Sequence, residues 1–406
     1  MNREHDPLRQ IDLLQQSLSQ NKRPLGFLLG AGCPAAIKVD IGNIKLPLIP
    51  DIEKLTIAVC DKISSRKECS AQLKAVSEQC SKDGCNNPNI EDILSHIRGL
   101  RAVAGKDTIR GLSALELDQL DDEICNVIND LVDKSLPDSS TAYHRMAAWI
   151  DATEREMPVE IFTMNYDLLT EQALEELRVP YFDGFSGARQ SFFDIRAMEQ
   201  DTLPARWARL WKLHGSINWY QDPSMGVIRG VPRGQHKKRV IHPSHLKYDQ
   251  SRKMPYFAMT DRLRAFLRQP SSVLVICGYS FRDDHINAEL IQGLQSNSTA
   301  ISFAILYGEL NKYEKAISLC NERSNLSLLG ADEGIIGTRR APWLTFSADQ
   351  QVGIDNSWIE LVDATSCNDQ SIKKSKLLLG DFKIFGDFLQ ELIGSNIDEQ
   401  KTENAK

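Results

Sequence analysis

The sequence predicts an α/β protein: a Rossmann-like parallel sheet with helices on both faces, an inserted helical module and a small C-terminal region. Two observations lead there. Short apolar runs recur along the chain, most of them followed by helical spacing, and strands that are apolar on both sides belong in a sheet covered on both faces. Just past four of these runs stand Gly30-Ala-Gly32, Asn165-Tyr-Asp167, His214-Gly215 and Gly278-Tyr-Ser280. In parallel sheets ligands bind there, outside the carboxyl ends of the strands.

The elements follow in order. From Leu8 to Gln20, Leu8, Ile11, Leu14 and Leu18 line one helical face. Lys22-Arg-Pro24 interrupts it, and Leu25-Gly-Phe-Leu-Leu29 reads as a buried strand running into Gly30-Ala-Gly32. From about 52 to 150 the pattern is helical with little strand signal, and Cys80 to Cys85 and Asn86-Asn-Pro-Asn89 supply turn chemistry between helices. This reads as a module inserted after the first strand. Strands return at Val159–Thr163, Arg209–Leu213, Ser272–Ile276 and Ile301–Leu306, with helices carrying Leu168 to Leu177 and Ile286 to Leu294 between them. Beyond Gly308 the pattern weakens, until a last amphipathic segment brings Phe382, Phe385, Phe388, Leu389 and Leu392. Residues 1–310 are therefore assigned to one ligand-binding unit with a helical insertion at about 52–150, residues 311–394 to a small mixed region, and 395–406 to a polar tail. The insertion and the C-terminal region, richer in apolar helical faces than one small core needs, are candidates for homo-oligomer contacts.

Composition narrows the function. Lys and Arg number 48 against 55 Asp and Glu, a net −7, which gives no blanket pull toward nucleic acid or an anionic membrane. No apolar run reaches the ~18 to 20 residues of a membrane span, and the polar start is not a signal-peptide core. Nine scattered cysteines, with no Cys-x-x-Cys pair, read as reduced thiols of a cytoplasmic protein.

Gly30-Ala-Gly32 is a turn in which backbone N–H groups, with no Cβ in the way, can approach a phosphate; a tight turn without a ligand would use the same residues. Asn165 can hold a ribose hydroxyl or position a water, since its amide both donates and accepts. His214 can act as a general base near neutral pH, or serve structurally. Asp167 reads first as the N-cap of the following helix. Cys33 is a reactive thiol or, preferred, a small residue of the pocket wall. The basic loop from Arg233 to Lys253 fits a nucleic-acid or partner-docking patch, with a solvated loop preferred.

In this order the segments resemble the sirtuin family. Gly30-Ala-Gly32 matches its Gly-Ala-Gly turn, Thr163-Met-Asn-Tyr-Asp167 its Thr-Gln-Asn-x-Asp and Leu213-His-Gly215 its Leu-His-Gly, while Ile49-Pro-Asp51 looks like a shifted Ile-Pro-Asp. The resemblance runs from about residue 25 to 310, interrupted by the insertion. Sirtuin deacylases carry a four-cysteine zinc module after the His-Gly. Here no cysteine stands between Cys125 and Cys277, and His236, His242 and His245 are a poor substitute, so no metal site and no zinc are expected. Cys277-Gly-Tyr-Ser-Phe-Arg-Asp-Asp-His-Ile-Asn287 is similar to the Gly-Tyr-Ser-Phe-x-Asp-x-x-Ile-Asn of bacterial sirtuin-like defence proteins, as is Asn89-Ile-Glu-Asp-Ile93. Those proteins are NAD-consuming antiphage effectors, and the layout resembles most the sirtuin subunit that pairs with a HerA-type ATPase.

The resemblance implies an NAD glycohydrolase, with NAD as its substrate, nicotinamide and ADP-ribose as products, and a HerA-type ATPase as partner. Asn165 and His214 would be catalytic, at the nicotinamide ribose and as proton acceptor. Gly30, Ala31, Gly32 and Cys33 would meet the pyrophosphate, and Gly278, Tyr279 and Ser280 would close over phosphate and ribose. Asp51 and Asp167 would support the pocket, as would Asn287, which fits a solvated helix position equally well. The alternatives are a zinc-free sirtuin-like protein deacylase and a non-catalytic NAD or ADP-ribose sensor or scaffold. A pure binding module has no need for both Asn165 and His214.

Overall fold

Nine strands build the main sheet: β1 (Leu25–Leu29), β2 (Val159–Thr163), β3 (Tyr181–Phe182), β4 (Ala208–Lys212), β5 (Val273–Cys277), β6 (Ile301–Ile305), β7 (Leu326–Leu329), β8 (Glu333–Ile336) and β9 (Arg339–Pro342). In this computed structural model, residues 4–42, 44–66, 69–85, 87–222, 226–230, 238–241, 255–347, 357–365 and 371–394 are described. The strand order is β9-β8-β7-β6-β5-β1-β2-β4-β3. The pairings from β3 across to β7 are parallel, and the β8–β9 hairpin extends one edge antiparallel.

Both faces of the sheet are buried, and strand alternation divides the side chains between two cores. Leu25, Phe27 and Leu29 of β1 join Val273 and Val275 of β5 in one core, while Leu28, Leu274 and Ile276 enter the other. The chain leaves β1 for β2 on one side and returns to β5 on the other, so the direction of winding switches at β1. That is where an open parallel sheet forms its ligand crevice. The register brings the four strand ends level: Leu29 lies opposite both Cys277 and Thr163, and Thr163 opposite Lys212.

Seven helices precede β2: α1 (Pro7–Ser19), α2 (Gly32–Ala36), α3 (Ile52–Ser64), α4 (Ser70–Lys82), α5 (Ile90–Ala104), α6 (Ala114–Val132) and α7 (Ala142–Ala152). After it come α8 (Leu169–Glu176), α9 (Ile195–Gln200), α10 (Tyr256–Arg268), α11 (Asp284–Ser296), α12 (Glu314–Asn321) and α13 (Phe382–Leu392). The first core takes α1, α7 and α13, and the second takes α10, α11 and α12. The inserted module is helical as expected, with one addition. A hairpin of Thr108–Ile109 and Leu112–Ser113 turns on Arg110 and Gly111, both at positive φ (49° and 84°). Within the module Asn89 and Ser113 each close a capping box with the acid three residues on, Asp92 and Glu116, which fixes where α5 and α6 begin.

Three features depart from the sequence expectations. The sheet does not stop near residue 310, because β7 continues it in parallel and β8 and β9 follow. The C-terminal helix is core: Phe385 meets Phe27 of β1 at 6.2 Å between ring centroids, and Gly386 packs so tightly on Ala142 that a Cβ would lie 2.7 Å from its Cα. The apolar face that suggested oligomer contacts is thus covered by the chain itself. A five-stranded antiparallel sheet, from Phe185–Ser186, Ser191–Phe193, Gly215–Asp222, Gly226–Arg229 and Lys238–Ile241, forms where the sequence predicted no strands, and its last strand falls within the stretch read as a basic loop. Apart from residues 238–241, which form its last strand, the basic loop 233–253 lies outside the described residues, as do His236, His242 and His245. No helix among the described residues is long and apolar enough to cross a membrane.

Candidate active site

Two strand-end turns cross at the centre of the sheet edge. Gly30 N donates to the Cys277 carbonyl and Gly32 N to the Gly278 carbonyl, each at 2.9 Å. A Cβ on Gly30 would lie 2.4 Å from the Gly278 oxygen, and one on Gly32 would lie 2.7 Å from the Gly278 Cα. Gly278 itself sits at φ +63° with its Cβ position 2.6 Å from Cys33 N. These glycines are demanded by the close passage of one backbone over the other. The same crossing leaves Ala31, Gly32 and Ser280 exposed on the rim.

Asn165 joins this crossing to β2. Its backbone N–H donates to Thr163 Oγ1 (3.0 Å), and its Nδ2 donates to the Gly30 carbonyl (3.1 Å). That bond uses one Nδ2 hydrogen and orients the amide, and Oδ1 is an acceptor it can offer a ligand.

His214, buried at the end of β4, pairs through Nε2 with Asp283 Oδ2 at 2.9 Å. Asp283 divides its oxygens: Oδ1 caps α11 by accepting from His285 N (2.8 Å) and Ile286 N (3.0 Å), which leaves Oδ2 for the imidazole. In the neutral ring, an Nε2–H donated to Asp283 puts the basic lone pair on Nδ1. Burial alone would depress the His214 pKa, but the hydrogen bond and charge of Asp283, with the charge of Glu91, outweigh it, and the net shift is upward. Glu91, the second residue of α5, accepts a short hydrogen bond from the Tyr166 hydroxyl. Burial pushes its carboxyl up, opposed by His214 and Tyr166.

A buried ion pair props the loop between these groups. Lys212 Nζ donates to Glu171 Oε1 (2.8 Å) and to the Asp167 carbonyl. The Asp167 side chain accepts from Leu169 N (3.1 Å) at the start of α8, so its visible work is to turn the chain into that helix. Burial raises its pKa, with Lys212 opposing. Asp51 caps α3 through Lys54 N (3.0 Å) and stands at the rim, where Glu53 of the same turn pairs with Arg282 (3.0 Å). The Cys33 thiol turns inward to the Cys277 carbonyl (3.4 Å), and burial drives its pKa well up, which excludes a reactive thiolate. Tyr279 is buried on Phe281 (4.7 Å) and donates to Asn287 Oδ1 (2.8 Å), whose Nδ2 donates to the Phe281 carbonyl (2.8 Å). Asn287 is therefore an internal brace of the turn, and the solvated reading is wrong.

Residues 159–328 match the family model of the SIR2-like domain. The matched span is less than half of the chain; it holds Asn165, His214, the Gly278 turn and Asp283, and leaves β1 and the insertion outside. The largely parallel sheet and the SIR2-like domain together give the chain a sirtuin-like Rossmann fold. Among solved structures, the chain is similar to a histidine-to-asparagine mutant of a Sir2 homologue in complex with ADP-ribose. There the identity is 12%, the coverage 73% of this chain and 84% of that one, and the TM-score 0.31. A triple mutant of a Sir2 homologue with 2′-O-acetyl ADP-ribose stands at 14% identity, 73% and 84% coverage, and TM-score 0.33. A Sir2 enzyme solved for its mechanism and regulation stands at 10% identity, 74% and 86% coverage, and TM-score 0.35. No curated protein matches the chain.

The structure thus brings Asn165, His214 and the two glycine turns to one edge of the sheet. It adds three residues that sequence reasoning gave no role: Asp283, Glu91 and Tyr166. All three lie inside segments that had drawn notice as motifs. Among the described residues no group of His, Cys, Asp and Glu is arranged to hold a metal ion.

Proposed function

We propose that the chain is an NAD glycohydrolase, cleaving NAD+ to nicotinamide and ADP-ribose. The observation that carries this reading is the buried His214–Asp283 pair on the same sheet edge as Asn165 and the crossed glycine turns. In the reaction the C1′–N bond of the nicotinamide ribose breaks, and its electron pair goes to the ring nitrogen, which neutralises the pyridinium. A water oxygen bonds C1′, and its proton passes to His214. Asp283 holds the imidazole and offsets the charge it gains, while the two carboxylates near His214 suit the positive charge that develops on the ribose. Asn165 Oδ1 would orient the water or a ribose hydroxyl. Ala31, Gly32 and Ser280, exposed beside the crossing, would receive the pyrophosphate and adenosine ribose.

Hydrolysis is preferred to deacylation because the two stretches that resemble NAD-consuming effectors supply the carboxylates at His214, Glu91 from one and Asp283 from the other. On the same resemblance we assign the protein an antiphage role that depletes NAD, in complex with a HerA-type ATPase; with the C-terminal helix buried, the homo-oligomer contacts expected from apolar helical faces would fall to the helical insertion. Such an effector is expected to be quiet until triggered, since a constitutive NADase would empty its own cell.

The test is NAD consumption by the purified protein, alone and with a HerA-type ATPase, beside Asn165→Ala and His214→Ala, with products separated. Nicotinamide and ADP-ribose formed without an acylated peptide, and lost in both variants at unchanged melting temperature, would establish the hydrolase. Release that requires an acyl-lysine peptide would move the chain to the deacylases. NAD that raises the melting temperature yet survives every mixture would favour the sensor.

A further inference from the structure

We infer that Glu91 is a positioning residue for His214 and Asn165, so that the inserted helical module completes the reacting centre. The inference takes its chemistry from the hydrolase reading; its test does not need that reading. Glu91 sits in the first turn of α5, where the Asn89 side chain accepts from its N–H (2.8 Å) and the helix dipole favours a carboxylate. Its place is therefore fixed by the module. The carboxylate holds the Tyr166 hydroxyl, and Tyr166 lies directly between Asn165 and Asp167. The Tyr166 carbonyl in turn accepts from Ile217 N (3.0 Å) and Ser216 Oγ (3.4 Å), immediately after His214-Gly215. One side chain of the insertion thus clamps the Asn165 loop and, through it, the strand that leaves His214.

Glu91 also acts on His214 by charge, favouring the imidazolium as Asp283 does. The ionisable groups around this trio are Asp283 and Asp92 near Glu91, and Arg98 and Tyr256 near Tyr166. Arg98 is itself held by Asp121 Oδ1 of α6 (2.9 Å), with Cys125 Sγ at 3.4 Å. The charge of Arg98 thus acts on Tyr166, and that of Glu91 on His214, from within the insertion. Packing alone would be served by apolar side chains, and a buried carboxylate costs desolvation that only its partners offset. That cost argues that the module delivers a charge here, not merely bulk.

The test is an NMR titration of the histidine imidazoles in wild type and Glu91→Gln, with the His214 signal identified by its loss in His214→Ala. The expected result is a His214 midpoint at lower pH in Glu91→Gln. Alongside it, kcat for NAD cleavage should fall roughly ten- to a hundredfold with KM little changed, the usual cost of losing a partner that orients a reacting group. Glu91→Asp should restore part of both. A folded Glu91→Gln protein whose His214 midpoint does not move would overturn the inference. Should Glu91→Gln not fold, Tyr166→Phe keeps the ring and loses only the bond. Amide exchange in the segments around Asn165 and Ser216 must then quicken, and unchanged exchange overturns the clamp. A wild type that never cleaves NAD but shows the midpoint shift sinks the hydrolase and supports the role of Glu91.

Discussion

In the proposed reaction His214 takes up a proton in a place where burial disfavours the charge it gains. Asp283 resolves the conflict, and its removal has a signed consequence. As proton acceptor His214 works in its neutral form, so kcat/KM should rise with pH through its upward-shifted pKa. In Asp283→Asn the stabilisation of the imidazolium is lost, and the acid limb moves to lower pH while the maximum falls about a hundredfold or more. A pH–rate profile of both proteins checks this; an acid limb that stays in place would remove His214 as the titrating base. The same shift enters folding. A raised folded pKa gives stability that is full below the unfolded imidazole pKa and fades as pH climbs through the folded value. The places of His214 and Asn165 just past strand ends were legible in the sequence because each follows an apolar run with polar chemistry. Asp283 was not, because an N-cap aspartate reads as complete when one oxygen is spent, and no pattern reveals the task of the second. For Cys33 and Asn287 the sequence left two readings each, a reactive or a wall thiol and a supporting or a solvated amide, because it shows a side chain beside the crevice, not the direction in which it points.

At the level of elements, the crossing of the β1 and β5 turns is the joint on which the crevice depends. Gly30→Ala places a methyl 2.4 Å from a carbonyl oxygen that belongs to backbone and has little freedom to retreat. It is expected to cost about 1–3 kcal/mol and to weaken NAD binding by forcing the turns apart. Paired measurements of melting temperature and NAD affinity check it, and a variant that keeps both unchanged would show the crossing to be slack. Most helices and the five central strands of the main sheet were legible, since short, mostly apolar runs buried on both faces leave a strong signal. The short antiparallel strands from Phe185 to Arg229 were not. Apart from the eight-residue strand Gly215–Asp222 they are pieces of two to four residues, which carry no period to read, and their existence depends on partners far along the chain.

For the molecule as a whole, the reading of separate catalytic and C-terminal regions gives way to one interdependent body. The four apolar positions Phe382, Phe385, Phe388 and Leu389 of α13 are buried in the same core as Phe27 of β1. Ending the chain at Gly380 removes all of them, at about 3–5 kcal/mol for each phenylalanine, against a total stability of about 5–15 kcal/mol. The truncated protein is expected in the insoluble fraction or without a cooperative melt. A soluble, cooperatively melting product would return the C-terminal region to the status of an appendage. The sheet order has a further consequence for the cell that makes this chain. β1 leaves the ribosome early, yet it belongs between β2 and β5, and parallel neighbours so distant in sequence pair late. The nascent chain therefore lacks Asp283 until most of the protein has been synthesised, and the core beneath β1 stays open until the last helix arrives. On the proposed function, the NAD hydrolase would then be inert throughout its own translation, with no inhibitor required during that interval.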